Sequence, residues 1–243
     1  MMRPFILALV WLAGSALPVH AAPANWFTNG ESLNYRVYWG PLSLGKATLA
    51  FTPNPKGYHI EGHVKGSMVF FKMDDTWTAS GSQTNGRLQP LEYRAIQAEN
   101  DYRANKRLTF NVAKRTMMYE NLRGGEPSLT VPLPKGAQDP FTALYDLRKQ
   151  GVTTKAVSRT VMGLKRPFTL NISAAQPVKR DGQNLLRVDI TKVEPGKQND
   201  SWQIWLTDDE ELTPVEIDAQ LKVGSFRAVL NTGLDPRHEK EEM

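Results

Sequence analysis

The chain has 243 residues, no cysteine and a formal charge of +5 at pH 7. Without cysteine it has no disulfide, thiol nucleophile or thiolate metal site, and no cysteine to carry a lipid. A charge this small and mixed does not make a nucleic-acid surface, and a chain of this length buries a core without covalent staples.

The first segment is Arg3, an apolar run from Phe5 to Leu17, Pro18, and then Val19-His20-Ala21. A positive start, a short apolar stretch and small residues before a cut after Ala21 read as a secretory signal peptide over residues 1–21. The run falls short of the roughly 20 residues of a membrane-spanning helix. No later segment is apolar enough to span. The expectation is a periplasmic protein, secreted through the inner membrane, soluble and not lipidated. It comprises one β-rich domain over residues 22–238 and a charged tail over 239–243. Its formal charge is +4 once Arg3 leaves with the signal.

After a short lead, Leu33, Tyr35, Val37 and Trp39 alternate with Asn34, Arg36 and Tyr38. Period two marks a half-buried strand. Gly40-Pro41 ends it, and Leu42 to Thr52 reads as the next strand. The turn Asn54-Pro55-Lys56-Gly57 separates it from Tyr58 to Lys65. Asp74 to Ser82, Leu88 to Glu99 and Tyr102 to Val112 continue the series. In the last, Tyr102, Ala104, Leu108, Phe110 and Val112 share one face, with Lys106 as an exception among them. One covered and one wet face is the habit of antiparallel sheet.

One helix stands out. Asp139 suits its cap, Pro140 its first turn and Gly151 its stop, with Phe141, Leu144, Tyr145 and Arg148 at helical spacing. It is expected to pack Phe141, Leu144 and Tyr145 against the sheet and so plug or cover one side. Strands then resume at Ala156 to Met162, Phe168 to Ser173, Leu185 to Val193, Trp202 to Thr207, Val215 to Val223 and Ser225 to Asn231. Roughly a dozen strands with regular turn spacing favour a sandwich or barrel over βαβ units. The expected fold is all-β, mainly antiparallel: a curved sheet closing into a barrel or sandwich, with one short helix near residues 139–150.

Three blocks carry a resemblance. They are Gly30-Glu31-Ser-Leu-Asn-Tyr35-Arg-Val-Tyr-Trp39-Gly40 leading into Leu44-Gly45-Lys-Ala-Thr-Leu49; Asp139-Pro-Phe-Thr-Ala-Leu-Tyr145-Asp-Leu-Arg148; and Ile204-Trp205-Leu-Thr-Asp208-Asp209 followed by Leu212-Thr-Pro214-Val-Glu. In this order they resemble the domain-of-unknown-function family 3108, a group of exported bacterial proteins, over about residues 27–232. The resemblance implies a β-rich envelope protein and carries over no activity and no catalytic residue.

Candidate chemistry is sparse. His59, Glu61 and His63 share one face of a strand, where two imidazoles and a carboxylate could approach one metal ion, but a solvated polar face opposite Tyr58, Ile60 and Val64 is the favoured reading. Asp74-Asp75 and Asp208-Asp209-Glu210-Glu211 lie beside Trp77 and Trp205, as paired carboxylates of a glycoside hydrolase would. Acidic residues at strand ends are more often solvated turn residues. No nucleophile elbow, phosphate loop or dinucleotide fingerprint occurs. No catalytic residue, metal or cofactor is assigned.

The segment Ser67 to Met73, between strands, is the most unusual. Met68, Val69, Phe70, Phe71 and Met73 form an apolar run of adaptable side chains, the expected mouth of a ligand cavity. Arg94, Arg103 and Arg107 are the candidates to meet an acidic headgroup. The function expected is a periplasmic binding protein for a lipid-like or amphipathic ligand. The alternatives are an envelope interaction or structural protein without a ligand cavity, and a hydrolase acting on envelope polymers. The partners expected are a lipid or lipopeptide, or envelope proteins, with no nucleic acid and no integral membrane segment after signal cleavage.

Overall fold

The computed structural model describes residues 25–69, 71–151, 154–196, 199–221 and 224–231. The expected signal peptide, Phe70 and the expected tail lie outside the described residues. The first half of the chain runs α1 (Asn25–Asn29), β1 (Glu31–Trp39), β2 (Leu42–Asn54), β3 (Gly57–Met68), β4 (Phe71–Thr84), β5 (Arg87–Glu99), β6 (Tyr102–Asn111), β7 (Thr116–Asn121) and β8 (Leu129–Pro132). Then come α2 (Pro140–Gln150), β9 (Val157–Met162), β10 (Pro167–Ile172), β11 (Gln176–Arg180), β12 (Gln183–Val193), β13 (Asp200–Thr207), β14 (Pro214–Leu221) and β15 (Gly224–Leu230).

All fifteen strands among the described residues form one sheet, ordered β8-β7-β6-β5-β4-β3-β2-β1-β15-β14-β13-β12-β10-β9, with β11 beside β12. Every named pairing is antiparallel, and the sheet is two meanders joined where β1 meets β15, the second interrupted where β10 rather than β11 continues the order past β12. Bulges at Val37/Tyr38, Ser80/Gly81 and Trp205/Leu206 shift the register. Each extra residue bends its strand and increases the local twist. The sheet is therefore curved, and it is not closed. The segment after β8 bridges the gap at one point: Gln138 pairs in parallel with Val161 of β9, and the Met162 N–H donates to the Gln138 carbonyl at 2.8 Å.

α2 fills the concave side at one end of this sheet. Tyr145 belongs to a cluster with Trp26, Tyr35, Phe51, Tyr58, Ile60 and Leu88. Leu147 belongs to a second cluster, with Ile172, Val188, Ile190, Ile204 and Leu206, and half-buried Leu144 touches both. Fully burying such side chains contributes about 1.5–3 kcal/mol each, so one short helix ties the two meanders together. Phe141 sits over Gly62, where a Cβ would meet the ring at 2.5 Å. A bare backbone in β3 is what seats the helix there.

The β-rich reading holds, with more strands than the dozen expected and a second helix. α1 has only five residues. The Asn25 and Trp26 N–H groups donate to the Glu211 carboxylate at 2.8 and 3.3 Å, and Trp26 packs into the core. Tertiary contacts, not propensity, hold it. Lys106 does stand in the inward row of β6, between buried Ala104 and Leu108. Its ammonium donates to the Tyr102 hydroxyl at 3.1 Å, beside the open seam near β7.

Candidate functional site

Hairpin pairing gives the sheet two unlike ends. Turns β2–β3, β4–β5 and β6–β7 lie at the end that the helices fill. Turns β1–β2, β3–β4 and β5–β6 lie at the other, which neither helix covers. Hydrogen bonding at the filled end is dense. The Asp139 carboxylate caps α2 through the N–H groups of Phe141 and Thr142 at 3.0 and 2.9 Å and the Thr142 hydroxyl at 2.5 Å. That hydroxyl also meets the Tyr58 hydroxyl at 2.7 Å. Burial pushes the Asp139 carboxyl up to about 6, against the pull of those hydrogen bonds.

Asp146 accepts from Arg87 Nε at 2.8 Å and from the Leu88 N–H at 2.9 Å. Arg148 is buried, forms a two-point pair with Glu31, and donates to the Leu212 and Glu211 carbonyls at 3.1 and 3.0 Å. Its guanidinium also lies 4.6 Å from the Trp26 ring. The charged residues of the Asp139–Arg148 block are thus consumed internally.

The uncovered end differs. The Ser67–Met73 run is a hairpin tip, not a loop between strands: Met68 pairs with Phe71, Ser67 with Lys72 and Gly66 with Met73. Val69 is 89 % exposed and Leu42, on the neighbouring turn, 58 %. Behind them Trp39 lies against Phe71 at 5.8 Å and stacks on Phe226 at 5.7 Å. Gly224 admits this ring: its φ is +124° and a Cβ would meet the indole nitrogen at 2.5 Å.

Beside the tip is a groove of about 560 Å³. Leu44, Met73 and Ala98 give it apolar walls, and Lys46, Lys65, Lys72 and Arg103 surround these with positive charge. Asp74 is the single carboxylate in the lining. The hydrogen bond from His63 at 2.7 Å, with Lys65 beside it, holds the Asp74 carboxyl below its ordinary range. Among the described residues neither Lys46 nor Lys72 pairs with a carboxylate.

Of the residues singled out in the sequence, Met73 and Arg103 line this groove. Met68, Val69 and Phe71 form the adjacent tip outside its lining, and Phe70 lies outside the described residues. Arg94 and Arg107 are cross-strand neighbours farther along β5 and β6. Arg94 donates to Asn105 at 2.9 Å and Arg107 to Glu120 at 2.8 Å, so both are occupied away from the groove. The three lysines were missed. Hairpin arithmetic was the available signal, since it places Lys46 opposite Lys65 and Ser67 opposite Lys72.

Other candidates disperse. Among the described residues no three His, Asp or Glu side chains gather to hold a metal ion. His59 and Glu61 are exposed, and His63 is taken by Asp74. Asp74 and Asp75 point to opposite faces of β4, as neighbours in a strand must. Asp75 is buried and accepts from the Ala98 N–H at 2.9 Å. Burial, and then Asp75, raise the Glu99 carboxyl. Asp209 caps its own turn through the Glu211 and Leu212 N–H groups at 3.0 and 3.1 Å. Two further open grooves lie beside the closing segment 133–138 and along the seam near Lys165, at about 520 and 590 Å³.

A family model described as "Protein of unknown function (DUF3108)" matches residues 34–231. The chain belongs to that family. A crystal structure described as a beta-barrel-like protein of domain of unknown function DUF1849, from Brucella abortus, is similar at 12 % identity and a TM-score of 0.56. The match covers 82 % of this chain and 94 % of that one. The likeness is one of fold. No curated protein shows significant similarity to the chain.

Proposed function

We propose that this member of the family is an exported envelope protein that binds an anionic amphipathic ligand, such as a fatty acid or lipid, in the groove at the uncovered end of its sheet. The observation that carries the reading is the groove's composition: apolar walls from Leu44, Met73 and Ala98 within a rim of Lys46, Lys65, Lys72 and Arg103. Burying part of an acyl chain contributes about 0.8 kcal/mol per CH₂ before ordering costs. The rim supplies the counter-charge for a carboxylate or phosphate head. Export rests on the signal-like residues 1–21, and a curved β-sheet of this kind is a common scaffold for ligand sites.

The binding machinery is Met73 with Leu44 below it and the four cations around it. Titration with a fluorescent fatty acid tests it. Wild type binds at micromolar concentration or tighter, Met73→Asp weakens binding at least about tenfold by placing charge against the chain, and Lys72→Glu weakens it severalfold. Variants that keep their unfolding transition and bind as wild type does overturn the reading.

A further inference from the structure

Register across the uncovered end places like charges side by side. Arg36 of β1 is directly opposite Lys46 of β2, and Lys46 directly opposite Lys65 of β3. Only then does a carboxylate follow, Asp74 of β4. Like charges facing each other across strands destabilise a sheet. Lys72 and Arg103 extend the cationic strip along the groove. The carboxylates here are Asp74, already shared between His63 and Lys65, Asp101 in the β5–β6 turn, buried Asp75, which accepts from the Ala98 N–H, and Glu99, which stands opposite Met73 and accepts from Gln97. The same end carries the exposed tip of Val69 and Leu42, with the Trp39–Phe71–Phe226 rings behind it. Apolar and aromatic side chains projecting from a cationic surface match the two layers of an anionic bilayer: acyl chains within, charged headgroups above.

We propose that this end docks on an anionic membrane surface, the β3–β4 tip entering the interface and Lys46, Lys65, Lys72 and Arg103 lying on the headgroups. Lipid phosphates then neutralise Lys46 and Lys72, which pair with no carboxylate among the described residues. Docking points the groove at the bilayer, where an amphipathic ligand enters or leaves without crossing water. The orientation of the groove rests on the ligand reading; the docking itself does not.

The test is co-sedimentation of the mature protein with vesicles of phosphatidylglycerol mixed with phosphatidylcholine, beside vesicles of phosphatidylcholine alone. Wild type binds the anionic vesicles, and binding falls as salt is raised. Val69→Asp lowers the partition at least about tenfold and leaves fatty-acid titration unchanged, because Val69 is outside the groove lining. Lys65→Gln lowers the partition roughly fivefold, the equivalent of about 1 kcal/mol per cation at the surface. Met73→Asp gives the opposite dissociation: fatty-acid binding falls at least about tenfold, while vesicle binding falls by no more than the roughly fivefold that one unit of charge accounts for. Failure of wild type to sediment with anionic vesicles overturns the docking and leaves the ligand reading standing. Sedimentation that Val69→Asp does not reduce also overturns it, since charge alone then suffices and the tip does not insert.

Discussion

The two ends of the sheet use similar residues for opposite purposes. At the filled end, Arg148, Arg87, Asp139, Asp146 and Glu31 are joined to one another, to backbone groups or to hydroxyls, and aromatic rings pack around them. At the uncovered end, Lys46, Lys65 and Lys72 ring an apolar groove with one carboxylate among them, and Val69 and Leu42 face solvent. A charged residue whose partners are all internal holds the fold together. Lys46 and Lys72, which pair with no carboxylate among the described residues, lie next to exposed apolar surface and are available to something outside the molecule. The densest sequence motif, Asp139 to Arg148, therefore marks the structural end.

The contrast breaks first at Arg148. Arg148→Met leaves Glu31 facing buried surface without its partner and frees two carbonyls. Removing one member of a buried pair costs about 3–5 kcal/mol, so a urea melt should show a loss of that size. A loss under about 1 kcal/mol would place the pair in solvent. Leu147→Ala removes the helix's hold on the second cluster and should cost about 2–5 kcal/mol by the same melt.

Asp139 sharpens the comparison through pH. Its carboxyl, near 4 when unfolded, is raised to about 6 in the fold by burial. The folded state binds this proton more tightly, so the contribution is fully present below about pH 4 and is lost as pH rises through about 6. Asp139→Asn removes the titration. Relative to wild type, the variant should gain roughly 2–3 kcal/mol of stability between pH 4 and 6. A pH-independent difference would mean that Asp139 titrates in water. The smallest stability effect belongs to the uncovered end: Lys72→Glu should shift the melt by less than about 0.5 kcal/mol while weakening fatty-acid binding severalfold.

Most of the architecture was legible because period two survives wherever one face is covered. Tyr35 and Val37, and Ala104, Leu108 and Phe110, are buried as their alternation requires. The helix was legible from Asp139, Pro140 and Gly151, each of which occupies the position its chemistry suits. What escaped depends on partners far along the chain. Asp146 and Arg148 are polar, and a helical pattern puts polar residues in solvent; their burial depends on Arg87 and Glu31. α1 is invisible to propensity because Glu211 anchors it. The groove itself draws on strands from β2 to β6: the apolar run at Met68 to Met73 forms the hairpin beside it, and only Met73 and Arg103 of the residues singled out in the sequence stand in its lining. Lys46, Lys65 and Lys72 become a group only through the pairing register, while Arg94 and Arg107, chosen for charge alone, turn out to be tied to Asn105 and Glu120.

The central claim is that the uncovered end carries an anionic amphipath, and native mass spectrometry of protein purified from the envelope without detergent tests it most directly. The account predicts wild type with the added mass of a bound lipid or fatty acid, and Met73→Asp, equally folded, at its bare mass. Wild type at its bare mass, or the same adduct on both proteins, would contradict it.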